Sequence, residues 1–254
     1  MQRRRTSRAM TDFEHLGQGF EAAVIGASGG IGAALVRALD GMGRVSRVHA
    51  FSRSGRAPEG EKVVAGRIDL EAPETIAAAA ETLGDGLRLV IVATGLLHDG
   101  AMQPEKTWRD LDAAAFARSF AVNAAGPALV AQHFLPRLPR QEPAVFAALS
   151  ARVGSVSDNQ AGGWYAYRAS KAALNQLLKC LAIEEARRRK HLVIAGLQPG
   201  TVATPLSAPF RNFVKEDDLF EPDVTAGHLL RVLSGLKPAE SGRLFDWQGE
   251  EFAP

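Results

Sequence analysis

The chain has 254 residues, 46% hydrophobic and 23% charged, with a formal net charge of +2. That is ordinary globular composition, long enough to bury a real core and too near neutral for a nucleic-acid partner. Its one cysteine, Cys180, excludes an intrachain disulfide and a cysteine-built metal cluster, no metal-spaced His/Asp/Glu group stands out, and a reducing, cytoplasmic setting fits.

Residues 1–18 begin with Arg3, Arg4, Arg5 and Arg8 and carry neither a core pattern nor an apolar h-region, so a flexible N-terminal tail is expected rather than a signal peptide. AAVIGA (22–27) reads as a short buried strand. Residues 31–43 follow with helical spacing at Ile31, Leu35, Val36 and Leu39 and a glycine stop. Strands are expected at 47–52 and 62–69. A helix with proline in its first turn spans 73–83. LRLVIVAT (87–94) is apolar almost throughout, as a strand covered on both faces should be. One long helical tract covers about 107–138, a strand 144–150, and a second long helix about 163–189. A strand at 191–199, a helix near 222–234 and a strand at 242–246 complete the order. No apolar run approaches the ~20 residues of a membrane span.

Strand and helix alternate without a linker or repeat. The pattern predicts an α/β fold, one Rossmann-type doubly wound parallel sheet of about seven strands over 19–254, with helices on both faces. Ligands in such sheets lie outside the carboxyl ends of the strands, which directs attention to the loops there.

The first such loop is GASGGIG, with Gly26, Ser28, Gly29, Gly30, Ile31 and Gly32 as candidate cofactor contacts. Glycines allow a tight turn and a close approach to a pyrophosphate, and the helix behind them offers free N–H groups. The spacing differs from the usual G-x-G-x-x-G, but its position between first strand and first helix is the one a dinucleotide needs. The second strand ends in Ser52 and Arg53, where a NAD site usually carries a carboxylate. A guanidinium forks onto a 2′-phosphate, so NADP(H) is preferred over NAD(H). Asp69 and Leu70, ending the third strand, suit the adenine; Asp69 alternatively caps the following helix.

Both tyrosines of the chain fall in GGWYAYRASK. Tyr167 and Lys171 are four apart and share a helix face, whereas Tyr165 lies about 240° round the helix from Lys171. A cation about 4 Å from a phenol favours the phenolate by roughly 4 kcal/mol, enough to bring a group that titrates near 10 close to neutrality. That pairing makes Tyr167 a candidate acid/base.

GASGGIG, Asp69, SFAVN ending in Asn123, Ser150, YRASK and QPGTVAT, in this order, resemble the short-chain dehydrogenase/reductase family over about 22–204. GSVSDNQAGGWYAYRASKAALN, PGTVATPLSAPF and FDWQGEE resemble its C-factor-like and sniffer-like carbonyl reductase branch. The resemblance implies that Tyr167 is the acid/base and that Lys171 holds the nicotinamide ribose. Ser150 would bond the substrate carbonyl oxygen, and Asn123 would hold a water leading from Lys171 to solvent. Pro199, Gly200, Val202 and Thr204 would line the nicotinamide. Two departures stand out. VATG replaces the family's Asn-Asn-Ala-Gly: Gly95 is kept and Thr94 partly substitutes for the lost asparagine. The 17-residue separation of Ser150 from Tyr167 is longer than usual, though normal in that branch.

The expectation is an NADPH-dependent reductase of a small-molecule carbonyl (ketone, aldehyde or quinone), with no nucleic-acid or membrane partner. The competing reading is a nucleotide-binding, C-factor-like signalling protein with little turnover. Polar, charged 205–222 is expected to form a substrate lid. The two long helices would build a homodimer or homotetramer, as the family usually does.

Overall fold

The structure, a computed structural model, describes residues 13–100, 102–213, 215 and 218–254. Its first half runs β1 (Phe20–Ile25), α1 (Gly30–Asp40), β2 (Val45–Ser52), β3 (Val63–Arg67), α2 (Pro73–Glu81) and β4 (Leu87–Val92). The second half runs α3 (Ala113–Phe120), α4 (Gly126–Phe134), β5 (Ala144–Leu149), α5 (Tyr165–Glu185), β6 (Leu192–Gln198), the short β7 (Thr201–Val202) and β8 (Leu219–Phe220), α6 (Pro222–Gly235) and β9 (Arg243–Asp246).

Seven parallel strands form one sheet in the order β3-β2-β1-β4-β5-β6-β9. The expected single-domain doubly wound fold is present. Successive strand residues face opposite sides. Ala22, Val24, Leu89 and Ile91 join α1 and α6 in one core layer, while Ala23, Ile25, Val90 and Val92 join α2, α4 and α5 in the other. Both faces are therefore dry, which is why the central strands carry hardly a polar residue. The chain reverses direction across the sheet between β1 and β4, opening a crevice beyond their carboxyl ends.

Three expectations need correction. The tail does not reach residue 18: Phe13 and Leu16 are buried in the core layer beneath α1 and α6, with a single 3-10 turn at Glu14–Leu16. Residues 1–12 lie outside the described residues. The tract 107–138 is not one helix. Thr107 caps a 3-10 turn at Trp108–Asp110, Leu111 is extended, and Asp112 caps α3 by accepting from the Ala115 N–H. A π-helical turn, Ala121–Ala125, then joins α3 to α4, with Gly126 N–H reaching back to the Ala121 carbonyl. Finally, the region after β6 holds the small parallel ribbon β7-β8, which the sequence did not suggest.

Candidate active site

The glycine loop is shaped by contacts that a side chain would destroy. Gly26 has φ +95°, and a Cβ there would sit 3.1 Å from the Ala93 main chain. A Cβ on Gly32 would fall 2.1 Å from the Gly26 carbonyl oxygen, and one on Gly30 2.6 Å from Thr204 Cγ2. Gly29 is the N-cap of α1 and supplies no side-chain acceptor, so the first-turn N–H groups around Ile31 are offered to an anion.

Ser28 and Gly29 open onto a cleft of about 220 Å³, together with Ser52, Arg53, Asp69, Leu70, Thr94 and Gly95. Ser52 is buried and donates to the Arg56 carbonyl, leaving Arg53 exposed at the rim. Asp69 Oδ1 accepts from Glu71 N–H, and the N-cap of α2 is Ala72, so Asp69 is not that helix's cap. Thr94 Oγ1 is buried without a partner, so it does not take over the strand-tying bonds of the lost asparagine as expected. Glycines that tolerate no Cβ, free helix N–H groups, a rim guanidinium and this orphaned hydroxyl fit a dinucleotide phosphate. Sequence reasoning missed Glu71, Val122 and Arg118 on this wall. Arg118 pairs with both Glu71 and Asp99, tying the loop after β3 to the loop after β4.

A second cleft of about 630 Å³ lies beside the first turn of α1. Ile31, Pro199, Gly200, Val202 and Thr204 line it together with Ser150 and Tyr167. Gly200 has φ +79°, and a Cβ there would press on the Phe220 ring at 2.8 Å. The remaining wall is largely apolar, with Leu97, Val153, Trp164 and Phe210. The Trp164 and Phe210 rings are 4.8 Å apart, and His98 bonds the Leu206 carbonyl across 3.1 Å, so two segments hold the region expected to be the lid. Tyr165 is half-buried and does not line this cleft.

The turn leading into α5 is what aims Tyr167. Gly162, Gly163 and Trp164 all have left-handed backbones, with φ of +64°, +65° and +50°. Such a conformation strains a tryptophan by roughly 1–3 kcal/mol. It is held by the Glu105 carbonyl, which accepts from Trp164 N–H at 2.6 Å, and by Arg168, which donates to the carbonyls of Gly162, Gly163 and Val153.

Tyr167, Lys171, Ser150 and Asn123 converge in depth: their exposures are 8%, 2%, 3% and 0%. Lys171 Nζ donates to the Leu149 carbonyl over 2.7 Å and lies 5.8 Å from the Tyr167 ring centroid. Burial pushes Tyr167 up to about 12 and Lys171 down to about 8, so desolvation outweighs the downward pull on the phenol expected from the spacing. Ser150 donates to Asn175 Oδ1. Asn123 sits in the π turn. Its Oδ1 accepts from Leu96 N–H, and its Nδ2 donates to the Leu96 carbonyl and to Ser170 Oγ. Asn123 thus laces the loop after β4 to α5. Asn175 was missed, although it repeats the four-residue spacing of Tyr167 and Lys171.

Among the described residues no group of acidic, His or Cys side chains could hold a metal, and no helix is long and apolar enough to cross a membrane. A family model described as short chain dehydrogenase matches residues 21–215. The chain is 40% identical over 142 residues to the C-signal of Myxococcus xanthus, covering 56% of this chain and 80% of that one. It is 30% identical over 222 residues to a 1-hydroxy-2-glutathionyl-2-methyl-3-butene dehydrogenase of a Rhodococcus species, covering 87% and 93%. An NADPH-bound carbonyl reductase from chicken fatty liver superposes with a TM-score of 0.79 at 25% identity, covering 98% of this chain and 100% of that one.

Proposed function

The chain belongs to the short-chain dehydrogenase family, and from that premise we propose that it reduces a ketone, aldehyde or quinone to the alcohol with NADPH. The observation that carries this reading is the presence of Ser150 and Tyr167 together in the lining of a largely apolar cleft that adjoins the glycine cradle. Bound NADPH supplies a hydride. The α1 N-terminus with Ser28 and Gly29 receives the pyrophosphate, and Asp69 and Leu70 flank the adenine. Ser52 and Arg53 meet the 2′-phosphate at the end of β2, and neither is the carboxylate that would repel it. Thr94 and Gly95 border the same path. Pro199, Gly200, Val202 and Thr204 line the nicotinamide, and the Lys171 ammonium holds its ribose.

Tyr167 is suited to the acid role. At neutral pH a phenol held near 12 keeps its proton until negative charge grows on the substrate oxygen. Ser150 stabilises that same oxygen by hydrogen bonding. Lys171, at about 8, is still mainly charged at pH 7 and favours the anion that Tyr167 becomes. Asn123 fixes the loop that carries Gly95 and Leu96, and in this reading holds a water that links Lys171 to solvent.

Residues 205–222 act as the lid, latched by Phe210 on Trp164. An apolar groove of Phe120, Ala124, Ala128 and Leu177 across α3, α4 and α5 supports a homodimer or homotetramer through these helices. The lone, exposed Cys180 suits the cytoplasm.

The test is a panel of small quinones, diketones, ketones and aldehydes, assayed with NADPH and with NADH at the reduced-nicotinamide absorbance. Oxidation of NADPH by members of the panel is expected. A second reading, a nucleotide-binding signalling protein, draws on the likeness to the C-signal. Tight NADPH binding without turnover on any member would replace the first reading by the second.

A further inference from the structure

Ser150 and Asn175 meet in the buried wall between β5 and α5. The serine hydroxyl donates to Asn175 Oδ1 over 2.5 Å, and Asn175 Nδ2 is buried without an acceptor. A hydroxyl has one proton. While that proton points at Asn175, Ser150 has none to give to a carbonyl in the cleft. If it swings toward the cleft, Ser150 Oγ and Asn175 Oδ1 confront each other as two acceptors 2.5 Å apart, which is repulsive. Turning the amide over about its terminal torsion removes the conflict. Nδ2 then donates to Ser150 Oγ, the buried donor gains a partner, and the serine proton is released to the cleft. That torsion is broad and two-fold, so the turn needs no backbone movement.

We propose that Asn175 is a positioning residue: by donating to the Ser150 oxygen it directs the serine proton at the substrate carbonyl. The proposal rests on the carbonyl-reducing reading above. Only a hydrogen-bond direction changes, and no bond is made or broken by Asn175.

The test is steady-state kinetics of the full chain with NADPH and an accepted carbonyl substrate. The set comprises wild type, Ser150→Ala, Asn175→Asp, Asn175→Ala and the two double variants, each with its NADPH affinity and Tm. Ser150→Ala should lower kcat about 100-fold, the scale of a lost oxyanion donor. Asn175→Asp, an acceptor only near neutral pH, should lower kcat about tenfold or more while NADPH affinity stays unchanged. Asn175→Ala leaves the hydroxyl free to turn and should lose less. It also serves should the aspartate variant not fold. In the Ser150→Ala background either change should cost less than about twofold, because the route through the serine is already gone.

Asn175→Asp within about twofold of wild type would overturn the proposal. So would losses that multiply with Ser150→Ala, or a parallel loss of NADPH affinity, which would mean action through Lys171. A wild type inactive on every carbonyl defeats the functional reading and this proposal with it. An active wild type with multiplying losses defeats this proposal alone.

Discussion

Lys171 Nζ is bonded to the Leu149 carbonyl at 2.7 Å and lies 5.8 Å from the centroid of the Tyr167 ring one helical turn before it. The cation is therefore pinned to the end of β5, and among the described residues no carboxylate pairs with it to compensate its burial. Two buried ionisable groups stand together there, each held toward its neutral form.

This makes stability depend on pH in a defined direction. Lys171 titrates near 10.5 when exposed but at about 8 in the fold. Between those values the unfolded chain binds more protons, so stability rises from pH 8 toward 10.5, and below pH 8 the full penalty applies. Tyr167 acts oppositely: its rise from 10.0 to about 12 makes stability fall across that higher range. The Lys171 shift corresponds to roughly 3 kcal/mol, and a methionine there would give back about 1 by leaving the Leu149 carbonyl without its donor. Lys171→Met should raise Tm at pH 7 by about 5 °C and flatten the rise between pH 8 and 10.5, while abolishing turnover. Thermal melts across pH check it, and a melt no higher than wild type at pH 7 refutes it.

Tyr167→Phe removes the proton donor and little else, since the ring stays in its apolar seat against Trp164. We expect kcat to fall by about 10³-fold, with NADPH affinity within a few-fold of wild type. Kinetics beside a cofactor fluorescence titration will decide. Retained turnover would remove Tyr167 from the acid role.

Arg53→Asp replaces the rim guanidinium by a group that repels a 2′-phosphate. The ratio of kcat/KM for NADPH over NADH should drop by about 100-fold. An unchanged ratio would mean that Ser52 or the backbone sets the preference instead.

Gly32→Ala places a methyl 2.1 Å from the Gly26 carbonyl oxygen, a contact only backbone movement can relieve. Loss of NADPH binding and a lower Tm are expected. Gly43→Ala is the control, because a Cβ there meets nothing within 4 Å. Its Tm should equal or slightly exceed that of wild type, since alanine loses less chain entropy on folding. Equal behaviour of the two variants in calorimetry would sink the argument.

The sheet was legible because strands dry on both faces must read as apolar runs, and 87–94 and 144–150 do. The Tyr167–Lys171 pairing was legible because helix geometry puts residues four apart on one face. Asn175 obeyed the same rule one turn further but carries no charge to draw notice. The tail boundary was misread because two apolar residues, Phe13 and Leu16, show no period until Phe20 and α1 give them something to pack on. The cleft wall from Leu97, Val153 and Phe210 comes from three distant segments, and no local pattern announces that they meet. The break in 107–138 did have a signal. Pro127, four residues after Asn123, has no N–H to give to the Asn123 carbonyl, so a regular helix cannot run through that point.

That π turn makes the site a matter of counting as well as chemistry. Ala121–Ala125 holds the surplus residue of a wide turn. Winding all five as ordinary α-helix, which the missing Pro127 N–H opposes, would turn one half against the other by about 100°. Asn123 and the α4 core residues Val130, Ala131 and Phe134 could not then all keep their present directions. Every side chain named for the chemistry would still be encoded, and the protein would have lost the phase that brings them together. How this segment winds therefore matters as much as which residues it holds.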